Sequence, residues 1–240
     1  YLQNKTQIES ESNLIDVLTV IEVECKEKSI KPIVHFDIHG NKNQGLYIHH
    51  MSKYVSWETI IDCFQKINFA TKNNLVVILA SCFGLNLIRQ IRLNKPVPFF
   101  VLLSPSTEVT VGYLEDNLVK FYTGLFDSGS IDYAFSTHLS DHFTYLHCEK
   151  LLFSAISAYI KSNCIGKSAR ERREYLLTDI INRGMPKTKA NLNDARKKIR
   201  KGLLPDSTIL DKYVSTFLIG KPCSFTIDDF YERFQLRKNN

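Results

Sequence analysis

The densest chemistry in this chain lies at residues 35–40, which read His-Phe-Asp-Ile-His-Gly. His35, Asp37 and His39 alternate, so on a strand all three share one face. Two imidazoles and a carboxylate suit zinc or iron, but no fourth ligand stands out elsewhere, and neither a metal nor any other cofactor is expected. A second possibility is a base serving a nucleophile. The chain offers one in Cys82, which follows an apolar run and sits in Ala80-Ser81-Cys82-Phe83-Gly84. A thiol needs a base or an electropositive neighbourhood to become a thiolate near neutral pH, and a histidine beside it supplies one. With no Cβ, Gly40 lets its N–H approach a substrate carbonyl closely, and the N–H of Cys82 could be a second donor to the same oxygen. The plain alternative is a buried histidine and an inert core thiol. His35, inside the run, reads as a core or supporting residue.

These side chains can meet only if the fold brings them together. "KPIVHFDIHG" opens on Pro and closes on Gly, with Ile33, Val34, Phe36 and Ile38 forming a short buried strand. "NNLVVILASCFG" reads as a strand buried on both faces that ends at Ser81 and Cys82, and "VPFFVLLSPS" as another that ends at Ser104, Pro105 and Ser106. Between them lie helical patterns: "SNLIDVLTVIEVECKEK" with a cap at Ser12 or Asn13, "WETIIDCFQKI" capped by Ser56, and "LNLIRQIRL". "GLYIHH" suggests a short strand, its histidines an exposed end, and "EDNLVKFYTGLFDSGSIDYAF" a helix, a glycine turn and a second helix start. Alternating strands and helices predict an α/β fold with a mostly parallel sheet and helices on both faces. In such a sheet functional groups gather at the carboxyl ends of strands. His39 and Cys82 occupy two such ends.

The charge pattern divides the chain. Of the net +6, residues 1–137 contribute −2, with 12 Lys and Arg against 14 Asp and Glu, and residues 138–240 contribute +8. No strand is evident beyond residue 138, so 1–137 reads as the α/β core and 138–240 as a basic, mainly helical extension. The run "KTKANLNDARKKIRKG" could meet nucleic acid or an acidic partner, but it lacks the interleaved aromatics that single-strand binders stack on. "IGKS" at 165–168 resembles the end of a phosphate loop, yet that motif needs a glycine where Lys161 stands. Six cysteines without a CxxC pair read as reduced thiols, and the apolar runs are too short to span a bilayer. A cytoplasmic protein with no membrane partner is expected.

Taken in order, "VHFDIHGNKNQGL", "LVVILASCFG", "FFVLLSPSTEV" and "FYTGLFDSGSIDYAF" resemble the CHAT domain, the bacterial branch of the caspase-like cysteine proteases. The resemblance spans roughly residues 14–137 and matches His39-Gly40, Cys82 and Gly84, with Phe121, Tyr122, Leu125, Gly129 and Ala134 in the last element. It implies a caspase-like three-layer fold, with His39 as general base and Cys82 as nucleophile. The Gly40 and Cys82 amides would form the oxyanion hole. It departs from the family in Asp37 between the histidines, in Phe83 before Gly84, and in the lack of two strands that open the family's fold before its first helix.

On that resemblance the chain is a cysteine endopeptidase, a gated effector in a bacterial defence or stress pathway. It would act on a protein substrate under an activating or inhibiting protein partner. The alternative is an idle relative, an interaction module whose basic helices bind a protein or nucleic acid. Ser81, Phe83, Ser104, Ser106 and Glu108 are the expected substrate contacts. Relatives that cut after Arg or Lys carry an acid where Ala80 stands, and no arginine flanks these tips to hold an Asp. An uncharged, aliphatic residue before the scissile bond is therefore expected, with Glu108 the one acid that could favour a basic one.

Overall fold

The computed structural model describes residues 4–204 and 206–236. The chain divides into two units, one of Tyr1–Cys148 with Thr216–Lys221 and the other of Glu149–Ser215 with Pro222–Asn240.

In the first unit, α1 (Glu11–Lys28) starts where Ser10 Oγ accepts the Asn13 N–H at 3.0 Å, two residues before the expected cap. β1 (Ile33–Asp37) follows, then a small antiparallel sheet of β2 (Gly40–Asn41), β3 (Gly45–Ile48) and β4 (Lys53–Val55). Helix α2 (Trp57–Ala70) is capped by Ser56, whose Oγ accepts the Thr59 N–H, and it buries Trp57, Ile60, Ile61, Phe64 and Ile67 along one side. β5 (Val76–Ala80) and β6 (Val101–Pro105) are joined through a 3-10 run, Gly84–Gln90. Then come α3 (Val111–Ser128), α4 (Ile131–His138) and β7 (Phe143–His147).

The main sheet has the order β1-β5-β6-β7, parallel except for β7. Its two faces are covered differently. Phe36 meets Phe64 of α2, while its neighbour His35, pointing the other way, stacks on Tyr122 of α3. On the α3 and α4 side Ile78, Ala80, Val101 and Leu103 pack with Phe121, Ala134 and Phe143. The expected α/β fold with a mostly parallel sheet is present.

Several local expectations change. β7 lies past residue 137, where no strand was expected. It reads as mixed rather than apolar because it is a sheet edge, with only Phe143 fully buried. β1 is the opposite edge and alternates: Val34 and Phe36 are buried, Ile33, His35 and Asp37 exposed. His35 is thus no core residue. "LNLIRQIRL" forms instead a tighter 3-10 run, Gly84–Gln90, with no side-chain cap at its start. The first unit also extends to Cys148 and takes in a returning segment. Val97 N–H donates to Phe217 O at 2.9 Å, Asn73 Nδ2 donates to Leu218 O at 3.2 Å, and Lys221 Nζ donates to Asn73 O at 3.0 Å.

A buried polar knot ties α2 to the sheet. Asn68 donates to Asn73 Oδ1 at 3.0 Å and to Val97 O at 2.8 Å, and its own Oδ1 accepts the Leu75 N–H at 3.0 Å.

The second unit is helical: α5 (Cys148–Tyr159), α6 (Gly166–Asn182), α7 (Lys189–Gly202), α8 (Ser207–Thr216) and α9 (Ile227–Arg233), with a π turn at Ile160–Cys164. Leu177, Ala195 and Ile199 form one core, and Phe153, Phe225 and Phe230 stack in another. Most of the basic run forms helix α7. Among the described residues no helix is long and apolar enough to cross a membrane.

Candidate functional site

Parallel pairing sets which residues can meet at the strand ends. The β1–β5 register runs from Ile33↔Val76 to Asp37↔Ala80. Both strands end there, so His39 and Cys82 each lie two residues beyond the paired ends of neighbouring strands. Past the strand the chain approaches still more closely. A Cβ added at Gly40 would collide with Ser81 Oγ and with the main-chain carbonyl of Cys82. Only glycine allows this approach, and it brings the His39-Gly40 turn against the Ser81-Cys82 turn.

The local backbone explains both turns. After Ala80 the Ser81 N–H bonds back to Leu79 O, Gly84 N–H bonds to Ser81 O at 3.0 Å, and Phe83 takes the left-handed conformation with φ 59°. Phe83 N–H is held by Thr107 O at 3.1 Å. This hairpin-like bend lifts Cys82 out of the sheet, half-buried, at the mouth of the strand end. On the other side, Tyr47 N–H donates to His39 O at 2.8 Å, which makes Gly40↔Leu46 a non-hydrogen-bonded pair of the β2–β3 ladder. The Gly40 N–H therefore points away from β3. The Cys82 N–H likewise has no protein acceptor among the described residues. Both amides assigned to an oxyanion hole are free to donate.

The side chains are not engaged with each other. No hydrogen bond joins the His39 ring to Cys82; the thiol donates instead to Val109 O at 3.7 Å, and His39 is exposed. Val109 had no signal in the sequence, since any residue carries a carbonyl. The other expected contacts separate into two groups. Ser81 is buried, its Oγ without a hydrogen-bond partner beside Gly40. Ser104 is buried too and donates to Leu79 O at 3.1 Å, filling the space that the missing side chain of Gly84 leaves. These serines support the turns rather than line a surface. Phe83 is half-buried, and Ser106 and Glu108 are exposed on the segment that leads to Val109.

Next along the strand, His35 Nδ1 lies 2.7 Å from the Tyr122 hydroxyl. Burial pushes the Tyr122 hydroxyl far above its ordinary range, and loss of water around the ring where it stacks on Tyr122 pushes the imidazole of His35, an otherwise exposed edge residue, down. Among the described residues no three His, Cys, Asp or Glu side chains come together as a metal site.

No family model, no curated protein and no solved structure matches the chain.

Proposed function

We infer that the chain is a cysteine endopeptidase in which His39 acts as general base on Cys82. One observation carries the reading: the turns His39-Gly40 and Ser81-Cys82 follow the paired ends of two neighbouring strands and come so close that a Cβ at Gly40 would strike Ser81 and Cys82, while two backbone N–H groups there have no protein acceptor among the described residues. Base, nucleophile and oxyanion donors on adjacent strand tips are the parts that acyl transfer needs. Helices on both faces of a mostly parallel sheet support the caspase-like form of this fold.

The steps follow from the groups present. Cys82 turns its thiol from Val109 O toward His39, which takes the proton. The sulfur attacks the scissile carbonyl, whose oxygen gathers negative charge against the Gly40 and Cys82 N–H groups. Collapse of that intermediate passes the proton from His39 to the leaving amine. Water, deprotonated by His39, then hydrolyses the thioester. A base and nucleophile that are apart before substrate binds are common, since such hydrogen bonds tighten only in the complex.

With Ser81 and Ser104 enclosed, Phe83, Ser106 and Glu108 remain as walls for the residue before the scissile bond. The preference proposed is still for an uncharged side chain, since Glu108 is exposed and hydrated. The resemblance to the CHAT family alone carries the wider proposal of a gated, cytoplasmic effector in bacterial defence or stress, with a protein substrate and a protein regulator.

The thiol's bond to Val109 O, with none to His39, favours a second reading, an idle interaction module. A mixed peptide library separates the two. The peptidase reading expects cleavage that disappears in Cys82→Ala; cleavage undiminished in that variant overturns it. Dominant cleavage after Arg or Lys that falls in Glu108→Gln would replace the uncharged preference with an acidic pocket.

A further inference from the structure

The second unit holds a cavity of about 370 Å³ between the start of α6, the end of α7 and the segment at Gln235–Leu236. Three of its lining residues are arginines: Arg170 and Arg173 from α6 and Arg200 from α7. Among the described residues no Asp or Glu lines it, and none of the three arginines forms a salt bridge with a described carboxylate, unlike Arg183 and Arg196 nearby in sequence. Arg170 and Arg173 are three residues apart and so share a face of α6, where like charges repel. Arg200 adds a third positive charge from the neighbouring helix. The arrangement lacks only an anion.

The backbone at the same place favours negative charge. α6 begins at Gly166, with φ +73°, after Ile165, which gives no side-chain cap, and no acid occupies its first turn. Ile165, Gly166 and Ala169 line the cavity, so the positive end of a 17-residue helix opens onto it. Cys164 fixes the geometry by donating from Sγ to Leu203 O at 3.0 Å, tying the start of α6 to the end of α7. Leu203, Leu204 and Leu236 give the rest of the wall an apolar stretch, beside the polar Gln235.

We propose that this cavity binds a small phosphate-bearing ligand of nucleotide size, its phosphate on Arg170, Arg173 and Arg200 and its ring against the leucines. The guanidinium fork matches phosphate oxygens in pairs, which a lysine would not. The volume is in the range of small-molecule sites, about 300–1,000 Å³, larger than an inorganic phosphate needs. A nucleic-acid strand fits less well, because among the described residues the cavity wall offers no aromatic ring for successive bases to stack on. All these residues belong to the second unit, and the site does not depend on the His39–Cys82 reading.

The test is isothermal titration calorimetry on the full chain with AMP and UMP as probes, and with adenosine, inorganic phosphate and a single-stranded oligonucleotide as comparison arms. At least one nucleotide is expected to bind with a Kd below about 0.1 mM, with adenosine and phosphate each about tenfold weaker or worse. Arg173→Gln and Arg200→Gln should each weaken the nucleotide about tenfold, while Arg196→Gln, whose side chain pairs with Glu174, should not. If either variant fails to fold, Arg170→Gln at an exposed position reads the same contact. The proposal is overturned if neither nucleotide binds at about 1 mM, or if the arginine variants bind as well as the parent. Phosphate binding as tightly as the nucleotides also overturns it, as does an oligonucleotide that binds and is not displaced by AMP.

Discussion

At the scale of single residues, the proposed reading has His39 and Cys82 act as one unit. Cys82→Ala and His39→Ala should each lower peptide cleavage by at least about 10³-fold, and the double variant should be little worse than either, because each alone already disables the pair. Steady-state rates on one cleaved peptide check this; losses that multiply would mean that the two residues act independently. Gly40 is the second sensitive point. Gly40→Ala drives a methyl group into the main chain of Cys82, which cannot move without the β5 turn. It should cost about 1–3 kcal/mol of stability and most of the activity, read by thermal melting beside the same assay. The strand ends that carry His39 and Cys82 were legible in the sequence because each follows an apolar run and lies before or near a glycine. Ser81 and Ser104 were misread for the same reason. Strand tips look exposed in sequence, whereas here two glycines draw neighbouring chains so close that the serines fill the gap.

At the scale of elements, the joint between α2 and β5 depends on Asn68, which is fully buried and bonded in three directions. Asn68→Leu leaves the Leu75 N–H and the Val97 carbonyl without their partner in a dry site. The expected loss is about 2–4 kcal/mol, measured by urea unfolding; a loss under about 0.5 kcal/mol would mean that the knot contributes little. This joint could not be read from the sequence, because buried asparagines look like loop residues until their partners are known. The apolar strands β5 and β6 were plain, since burial on both faces leaves an unbroken run. β7 was not. An edge strand with one buried residue in five has neither an apolar run nor a clean alternation, and it follows directly into helix α5.

For the whole molecule, the boundary suggested by charge at residue 137 differs from the one drawn by packing. The first unit needs β7 and the returning segment Thr216–Lys221, where Phe217 and Leu218 are buried and Lys221 Nζ lies 3.5 Å over the Phe100 ring. Charge could not reveal this, since β7 and the returning segment carry little of it and are separated by more than sixty residues of basic helices. A fragment of residues 1–137 should therefore not fold to a cooperative unit. Circular dichroism melting is the check, and a sharp transition at the temperature of the parent chain would refute the division.

The central claim is that Cys82 is an activated thiol beside His39. The most direct measurement is the rate at which a peptide electrophile alkylates each of the six cysteines, resolved by mass spectrometry. Cys25, Cys63 and Cys148 are buried, and burial pushes the half-buried thiols of Cys164 and Cys223 up and so slows them. The account predicts that Cys82 reacts at least about tenfold faster than any other cysteine near neutral pH, and that His39→Ala removes the advantage. A Cys82 that reacts no faster than Cys164 or Cys223, or whose rate does not change in His39→Ala, would contradict it.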